Sequence, residues 1–491
     1  MGEVIEEAVL ATGQHGRVRA RLTRSVAVLD RMVADGALCE GPASVGMELE
    51  LDLVDPLGRP RLVNEAALKL LGRDDVQSEL GQFNIEANLP PRPLGRGVLA
   101  SLERDLTRTL ATCSAALEPL GTRLIAIGTL PTLNAEHLTF ERMSANPRYA
   151  LLSRRLQAAR RRPFAVRIEG AESVAFATDS VTPQAAATSL QLHVLVPPGR
   201  FAGFYNAAQL IAAAQVAVGG NAPYLLGRHV WQETRIALCE QILDTRRPAE
   251  VSAGRPQRVW LGDRWVAGPV ELFEQLVRSF PPLLPFLDEE DPDATVAAGR
   301  VPTLHELRLH NGTVWRWNRP VYDVQDGRAH LRIENRVLPS GPTPLDMTAN
   351  AALYYGLVRA LADADPAPWA GVPFALAGRD LHRAARYGLQ ARLSWAGRSV
   401  RADRLTGDVL LPAAAAGLDA WGVDRADRDR YLGVVAERLR TGRTGAAWQT
   451  ATVGRLQDCY GLERSAALRE MTRRYGENAR TGAPVHEWPL R

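Results

Sequence analysis

Lysine is all but missing from this chain of 491 residues: Lys69 is the only one, and the basic side chains are otherwise arginine. That excludes a P-loop, whose Gly-rich turn must end in Lys-Ser or Lys-Thr. Lys69 lies in the short amphipathic pattern Asn64–Leu71, with nothing nearby to mark a Schiff-base lysine. If the protein handles phosphate, arginine, metal or backbone amides must hold it. Cysteine is scarce too. Cys39, Cys113, Cys239 and Cys459 stand far apart, a spacing that fits neither a disulfide framework nor a zinc motif. No apolar run is long and clean enough to read as a bilayer span. The best candidate, Phe204 to Leu226, is broken by Asn206, Gln209, Gln215 and Asn221 and reads as a buried helix. Residues 1–16 carry Glu3, Glu6 and Glu7 and show no secretory pattern, so a cytoplasmic protein is expected.

Hydrophobic residues make up 46% and charged residues 23%, the balance of a globular chain able to bury a large core. The 59 basic residues exceed the 55 acidic ones only slightly, and arginine with abundant Ala and Gly is what a GC-rich genome writes. The densest basic stretch, Arg154 to Arg162, lacks the interleaved aromatics of single-strand binders and reads as a solvated helix face rather than a nucleic-acid patch.

The informative stretch is Gly46–Val54. Met47, Leu49, Leu51 and Leu53 alternate with Glu48, Glu50 and Asp52, the period of a strand. Three carboxylates on one face repel one another, so this is either a solvated acidic edge or a cation-binding face. Similar segments follow. Ser78–Leu89 ends in Gln82, Asn84, Glu86 and Asn88 on one face, with Pro90-Pro91 as a stop. Thr188–Val196 puts Ser189, Gln191 and His193 together, His193 being a satisfied core residue or a ligand. Gly312–Pro320 is aromatic and basic. His330–Leu338 aligns Arg332, Glu334 and Arg336, a surface ladder or a metal-binding Glu between two phosphate-binding arginines.

Helices are expected over 1–40, 98–120, 200–218, 349–364, 412–421, 425–440, 444–460 and 463–480, with a short buried strand at 122–128 and a connection at Pro281–Pro285. Half-polar strands without a βαβ rhythm imply an α+β fold, an antiparallel sheet with helices on its apolar side and an open polar side. Two unit charges about 4 Å apart interact by roughly 4 kcal/mol at an effective dielectric of 20. Several unmatched carboxylates must therefore be scattered, protonated or bound to cations. Oxygen ligands with one imidazole suit Mg²⁺ or Mn²⁺ better than zinc. Two such ions beside arginines can transfer a phosphoryl group without a P-loop.

With these residues in view, the sequence resembles the glutamate–cysteine ligase family, in particular its bacterial carboxylate–amine ligase branch. The matches are Gly46-Met47-Glu48-Leu49-Glu50, Glu79 through Asn84-Ile85-Glu86, Gln191-Leu192-His193-Val194, Asn221-Ala222-Pro223 with Glu233-Thr234-Arg235, Trp317-Asn318-Arg319-Pro320, and Arg332-Ile333-Glu334-Asn335-Arg336. They run in the family's order over about 45–345. The resemblance implies a curved, mainly antiparallel sheet similar to glutamine synthetase and the guanido kinases. It implies a catalytic domain over 1–400 and a helical C-terminal extension over 401–491 packed on it. It also implies a two-step reaction in which ATP phosphorylates a carboxylate, that of the glutamate side chain in the simplest case, and an amine then displaces phosphate. Carried over by motif, Glu48, Glu50, Glu79, Glu86, His193 and Glu334 become ligands of Mg²⁺ or Mn²⁺. Arg332 and Arg336 become ATP-binding and catalytic groups with Arg319, and Arg235, Asn221 and Gln191 become substrate-binding. Asp52 matches no family position and is expected to be a solvated neighbour. The implied partners are ATP, glutamate and an amino acid or amine, most simply cysteine, with no nucleic acid and no membrane; a homo-oligomer is compatible with all of this. A ligase with another amine or carboxylate, or a non-catalytic ATP- or amino-acid-binding homologue, is the competing expectation.

Overall fold

The computed structural model describes residues 14–490 apart from Pro285. The first part of the helix expected over 1–40, most of the segment read for a secretory pattern, and Pro285 of the expected connection lie outside the described residues.

The alternating segments meet edge to edge. In chain order the strands are β1 (Ser44–Val54), β2 (Val76–Ser78), β3 (Asn84–Pro93), β4 (Arg123–Ile125), β5 (Ser189–Leu195), β6 (Asn318–Gln325) and β7 (Arg328–Pro339). They build one seven-stranded sheet in the order β6-β7-β5-β1-β3-β2, with β4 also paired to β1. All pairings are antiparallel. Register shifts at Val45/Met47, between β1 and β3, and at Asn335/Leu338, between β7 and β5, are the irregularities that bend a sheet and increase its twist. The result is a curled half-barrel.

Its convex face carries the apolar residues of the alternation: Met47, Leu49, Leu51, Ile85, Leu190, Leu192, Val194 and Ile333 are all buried. Among the helices are α1 (Gln14–Ala34), α2 (Val98–Leu117), α3 (Pro147–Arg160), α4 (Phe201–Gly219), α5 (Thr234–Ile242), α6 (His305–Asn311), α7 (Pro344–Ala362), α8 (Leu411–Ala420), α9 (Arg425–Thr441), α10 (Gly445–Tyr460) and α11 (Arg464–Arg480). Helices α4 and α7 lie against the sheet and against each other. The segment Pro198–Gly219, which contains α4, is long and apolar enough by composition to cross a membrane, yet 83% of its most apolar window is buried inside the protein. Helices α8 to α11 add a further layer. Arg438 of α9 donates to Asp346 at 2.8 Å and to Asn350 at 2.7 Å, both on α7. Trp448 of α10, Tyr475 of α11 and the tail residue Trp488 meet edge to face with ring centres 5.0 to 6.0 Å apart.

Pro90 and Pro91, expected to stop a strand, do not, and Pro320 also lies within a strand. Strand β3 runs through Pro90 and Pro91 to Pro93, beyond the reach of β2, which pairs only with Ile85 to Ala87. Strand β6 runs through Pro320 at the sheet's edge, where β7 is its sheet neighbour. In both places one side of the strand has no ladder to break, so the missing N–H costs nothing. The hairpin Phe164–Glu169/Ser173–Thr178 escaped the sequence reading, although its turn is signalled by Gly170. The basic stretch is not uniformly solvated either. Arg160 is buried, packs over Phe164 at 5.1 Å and donates to the carbonyl of Pro163.

Candidate active site

The concave face of the sheet floors a cavity of about 870 Å³, a size suited to small-molecule ligands. Strand register decides which side chains meet there. Glu50 lies opposite Glu86, Glu48 opposite Gln191, His193 opposite Glu334, and Glu334 opposite Arg319. Glu48, Glu50, Glu79, Glu86, Gln191, His193, Arg319, Arg332, Glu334 and Arg336 all line the cavity.

The floor is divided electrically. On β1, on β3 and just past β2 the acidic side dominates. Ligand atoms of Glu50, Glu79 and Glu86 lie within 4.8 Å of one another. Glu50 accepts from the Ser189 amide at 2.6 Å, the Ser189 hydroxyl at 2.9 Å and Gln191 Nε2 at 3.0 Å. Glu86 accepts from Gln77 and Asn88, and Glu79 from the Leu80 amide at 3.0 Å. None of these donors is a cation. Burial, followed by the neighbouring carboxylates, therefore raises the pKa values: Glu79 is pushed up to about 7 by burial and the charge of Glu50, and Glu86 well above the usual range by burial, Glu48 and Glu79. Glu50 is also raised, burial outweighing Arg336 and Ser189.

On β6 and β7 the basic side dominates. Arg319 grips Glu334 through contacts at 2.7, 2.8 and 3.2 Å, and Arg336 bonds Glu334 and, at 2.6 Å, Gln191 Oε1. Although burial opposes it, this pairing holds Glu334 well below the carboxylate range. Arg332 donates to Asp323 at 2.9 Å and through Nε to His193 Nδ1 at 3.3 Å. Nε2 of His193 faces Glu48 Oε1 at 3.2 Å. His193 outweighs the burial of Glu48 and lowers it. Strand β5 is the seam, where Gln191 bonds Glu50 on one side and Arg336 on the other.

Two residues expected to touch substrate are elsewhere. Arg235, at the start of α5, is 2% exposed; it pairs with fully buried Glu233 at 2.6 Å and donates to the Val337 carbonyl at 2.8 Å. Asn221 is completely buried, donating to the Ser340 carbonyl and to Tyr475 Oη and accepting from Gln449. Neither lines the cavity. Ser340 in turn donates to the main-chain carbonyl of Glu50 at 2.7 Å, so this layer braces the acidic cluster without lining the cavity. The motif match placed them near the chemistry; both are buried, although the charge of Arg235 still reaches Glu50 and acts to lower it. Asp52 is not solvated: it is 1% exposed, bonded by Asn84 Nδ2 at 2.6 Å and pushed up strongly by burial and by Glu50. The sequence reading also passed over Arg148, Tyr149, Arg308 and Asp323, which line the cavity. For Arg148 and Tyr149 the available signal was the helix start at Asn146-Pro147.

A curled antiparallel sheet with this divided floor defines the class: an ATP-dependent ligase that forms C–N bonds, joining a carboxylate to an amine. The chain belongs to the glutamate–cysteine ligase family 2, whose family model matches residues 44–471. No curated protein matches the sequence. Among solved structures, the glutamate–cysteine ligase of Francisella tularensis, crystallised with AMP, is similar with a TM-score of 0.57 at 11% identity, over 92% of this chain and 90% of that one. The bifunctional glutathione synthetase of Pasteurella multocida is similar with a TM-score of 0.52 at 9% identity, over 93% of this chain but only 55% of that one, so the chain spans about half the length of the latter. At such identities the likeness is one of fold.

Proposed function

We propose that this ligase uses ATP to phosphorylate the γ-carboxylate of glutamate and joins the acyl group to the amine of an amino acid, most simply cysteine, forming γ-glutamylcysteine. The observation that carries the reading is the divided floor: unmatched carboxylates on β1, on β3 and just past β2, beside an arginine-rich half on β6 and β7, in one cavity. Support for the nucleotide comes from the AMP held by the Francisella enzyme of the same fold.

The acidic side fits a hard divalent cation, Mg²⁺ or Mn²⁺, because Glu50, Glu79 and Glu86 offer only oxygen and have no cation among their hydrogen-bond partners. Glu48 and His193 would hold a second ion. Glu334 would contribute to it by sharing an oxygen now bonded by Arg319 and Arg336. Bound there, such ions neutralise phosphate charge. The protein's own groups do the rest. Arg319 and Arg336 are placed to stabilise charge spreading over the transferring phosphoryl group, and Arg332 to grip the nucleotide's phosphates. Gln191 keeps Glu50 and Arg336 in fixed register. A γ-carboxylate oxygen attacks the γ-phosphorus of ATP and ADP leaves. The amine lone pair then forms the C–N bond, the C–O bond breaks onto phosphate, and the nitrogen loses a proton.

The test is an ADP-release screen with Mg²⁺ over a panel of carboxylates, amino acids and amines, with products weighed by mass spectrometry. Glutamate with an amino acid is expected to give the corresponding γ-glutamyl amide. Glu86→Gln or Glu50→Gln is expected to lower kcat by about 10²- to 10³-fold, a loss typical of transition-state charge stabilisation. Full activity in both variants would overturn the metal assignment, and a product lacking a γ-glutamyl group would overturn the substrate assignment.

A further inference from the structure

The cavity holds a cation that the scheme above leaves idle. Five arginines line it: Arg148, Arg308, Arg319, Arg332 and Arg336. Arg308 and Arg332 pair with Asp323 at 3.0 and 2.9 Å, while Arg319 and Arg336 pair with Glu334. Arg148 has no carboxylate partner among the described residues. A guanidinium beside a cavity without a counter-charge is a ready anion site, and its planar fork matches a carboxylate.

Its position is set from both sides. Arg148 lies in the first turn of α3, where Asn146 caps its amide at 3.0 Å. Its neighbour Tyr149 ties the same turn to the β2 edge by donating to the Ser78 carbonyl at 2.8 Å. The guanidinium reaches the opposite wall, for a Cβ built on Gly312, just past α6, would lie 3.7 Å from Arg148 Nη2. Leu152, one turn along α3, lines the same wall. Arg148 therefore stands in a helical turn that borders the β2 edge of the floor, with its guanidinium beside the segment that follows α6. If the acyl phosphate forms on that floor, the amine adds to a face of its carbonyl carbon before phosphate leaves, and Arg148, with no carboxylate partner among the described residues, can hold a charged group that the amine substrate carries.

We propose that Arg148 binds the free carboxylate of the acceptor, so that the enzyme selects amino acids over simple amines. This rests on the substrate reading above and names what that reading leaves open, the feature by which the acceptor is recognised.

The test compares wild type, Arg148→Gln and Arg148→Lys, using cysteine against cysteamine, which lacks the carboxylate, and glutamate against 4-aminobutyrate, which lacks the α-carboxylate. Wild type is expected to prefer cysteine. Arg148→Gln should raise the KM for cysteine by about 10- to 100-fold, the range for a hydrogen bond to a charged group. The KM values for cysteamine, glutamate and ATP should stay within about twofold, and Arg148→Lys should recover part of the loss. Equal changes for cysteine and cysteamine would overturn the proposal, as would a rise in the KM for glutamate with cysteine unaffected. If wild type turns over none of these pairs, the substrate reading has failed, and calorimetric binding of a panel of amino acids decides the role of Arg148. Affinity lost in Arg148→Gln for carboxylate-bearing ligands alone upholds it, and unchanged affinity overturns it.

Discussion

At the scale of single residues, ionisable groups follow their neighbours. Glu48 and Glu334 are held charged by His193, Arg319 and Arg336, whereas Glu79 and Glu86, equally at home on a polar strand face, are pushed up because no cation meets them. The same reasoning gives a pH prediction away from the cavity. His310 on α6 is 3% exposed, and burial with the nearby Arg258 charge lowers it to about 3. Between that value and the ordinary 6.5, the unfolded chain takes up a proton that the folded chain refuses. His310 therefore costs no stability above about pH 6.5 and progressively more as pH falls toward 3, by about 1.4 kcal/mol per pH unit. Urea unfolding of His310→Asn is expected to lose about 2 to 3 kcal/mol less than wild type between pH 6.5 and 4.5; parallel pH profiles would contradict this.

At the scale of elements, the periods in the sequence carried far. Helices expected over 200–218, 425–440, 444–460 and 463–480 lie at Phe201–Gly219, Arg425–Thr441, Gly445–Tyr460 and Arg464–Arg480, since apolar spacing and a stop such as Gly461 are local signals. How closely the helices approach was not legible. Helices α7 and α8 cross where Gly417 meets Gly356, and a Cβ on Gly417 would fall 1.8 Å from the Gly356 carbonyl oxygen. That oxygen is backbone and cannot swing aside. Gly417→Ala, harmless by helix propensity alone, is expected to destabilise the fold by about 3 kcal/mol or more through overpacking, read as a fall in the chemical denaturation midpoint.

At the scale of the whole molecule, the C-terminal helices and tail stand behind the site. Trp488, 2% exposed, packs edge-on against Trp448 and Tyr475. Tyr475 bonds Asn221, Asn221 bonds Ser340, and Ser340 bonds the Glu50 main chain. Trp488→Ala is expected to cost about 3 to 5 kcal/mol, the usual loss for a buried Trp, measured by thermal or urea unfolding. A variant as stable as wild type would show that the tail is not part of the core. Glu48, Glu50, Glu86, His193 and Glu334 could be picked out beforehand because alternation with a period of two is written along each strand, and it allots every residue a face. The pairing of those strands was not written there. Bringing Glu48 opposite Gln191, or His193 opposite Glu334, depends on register across segments far apart in the chain. The burial of Arg235, Asn221 and Asp52 depends on what the rest of the chain lays over them. Local pattern determined which side chains share a strand face; only tertiary packing decided which of them keep a free surface for chemistry.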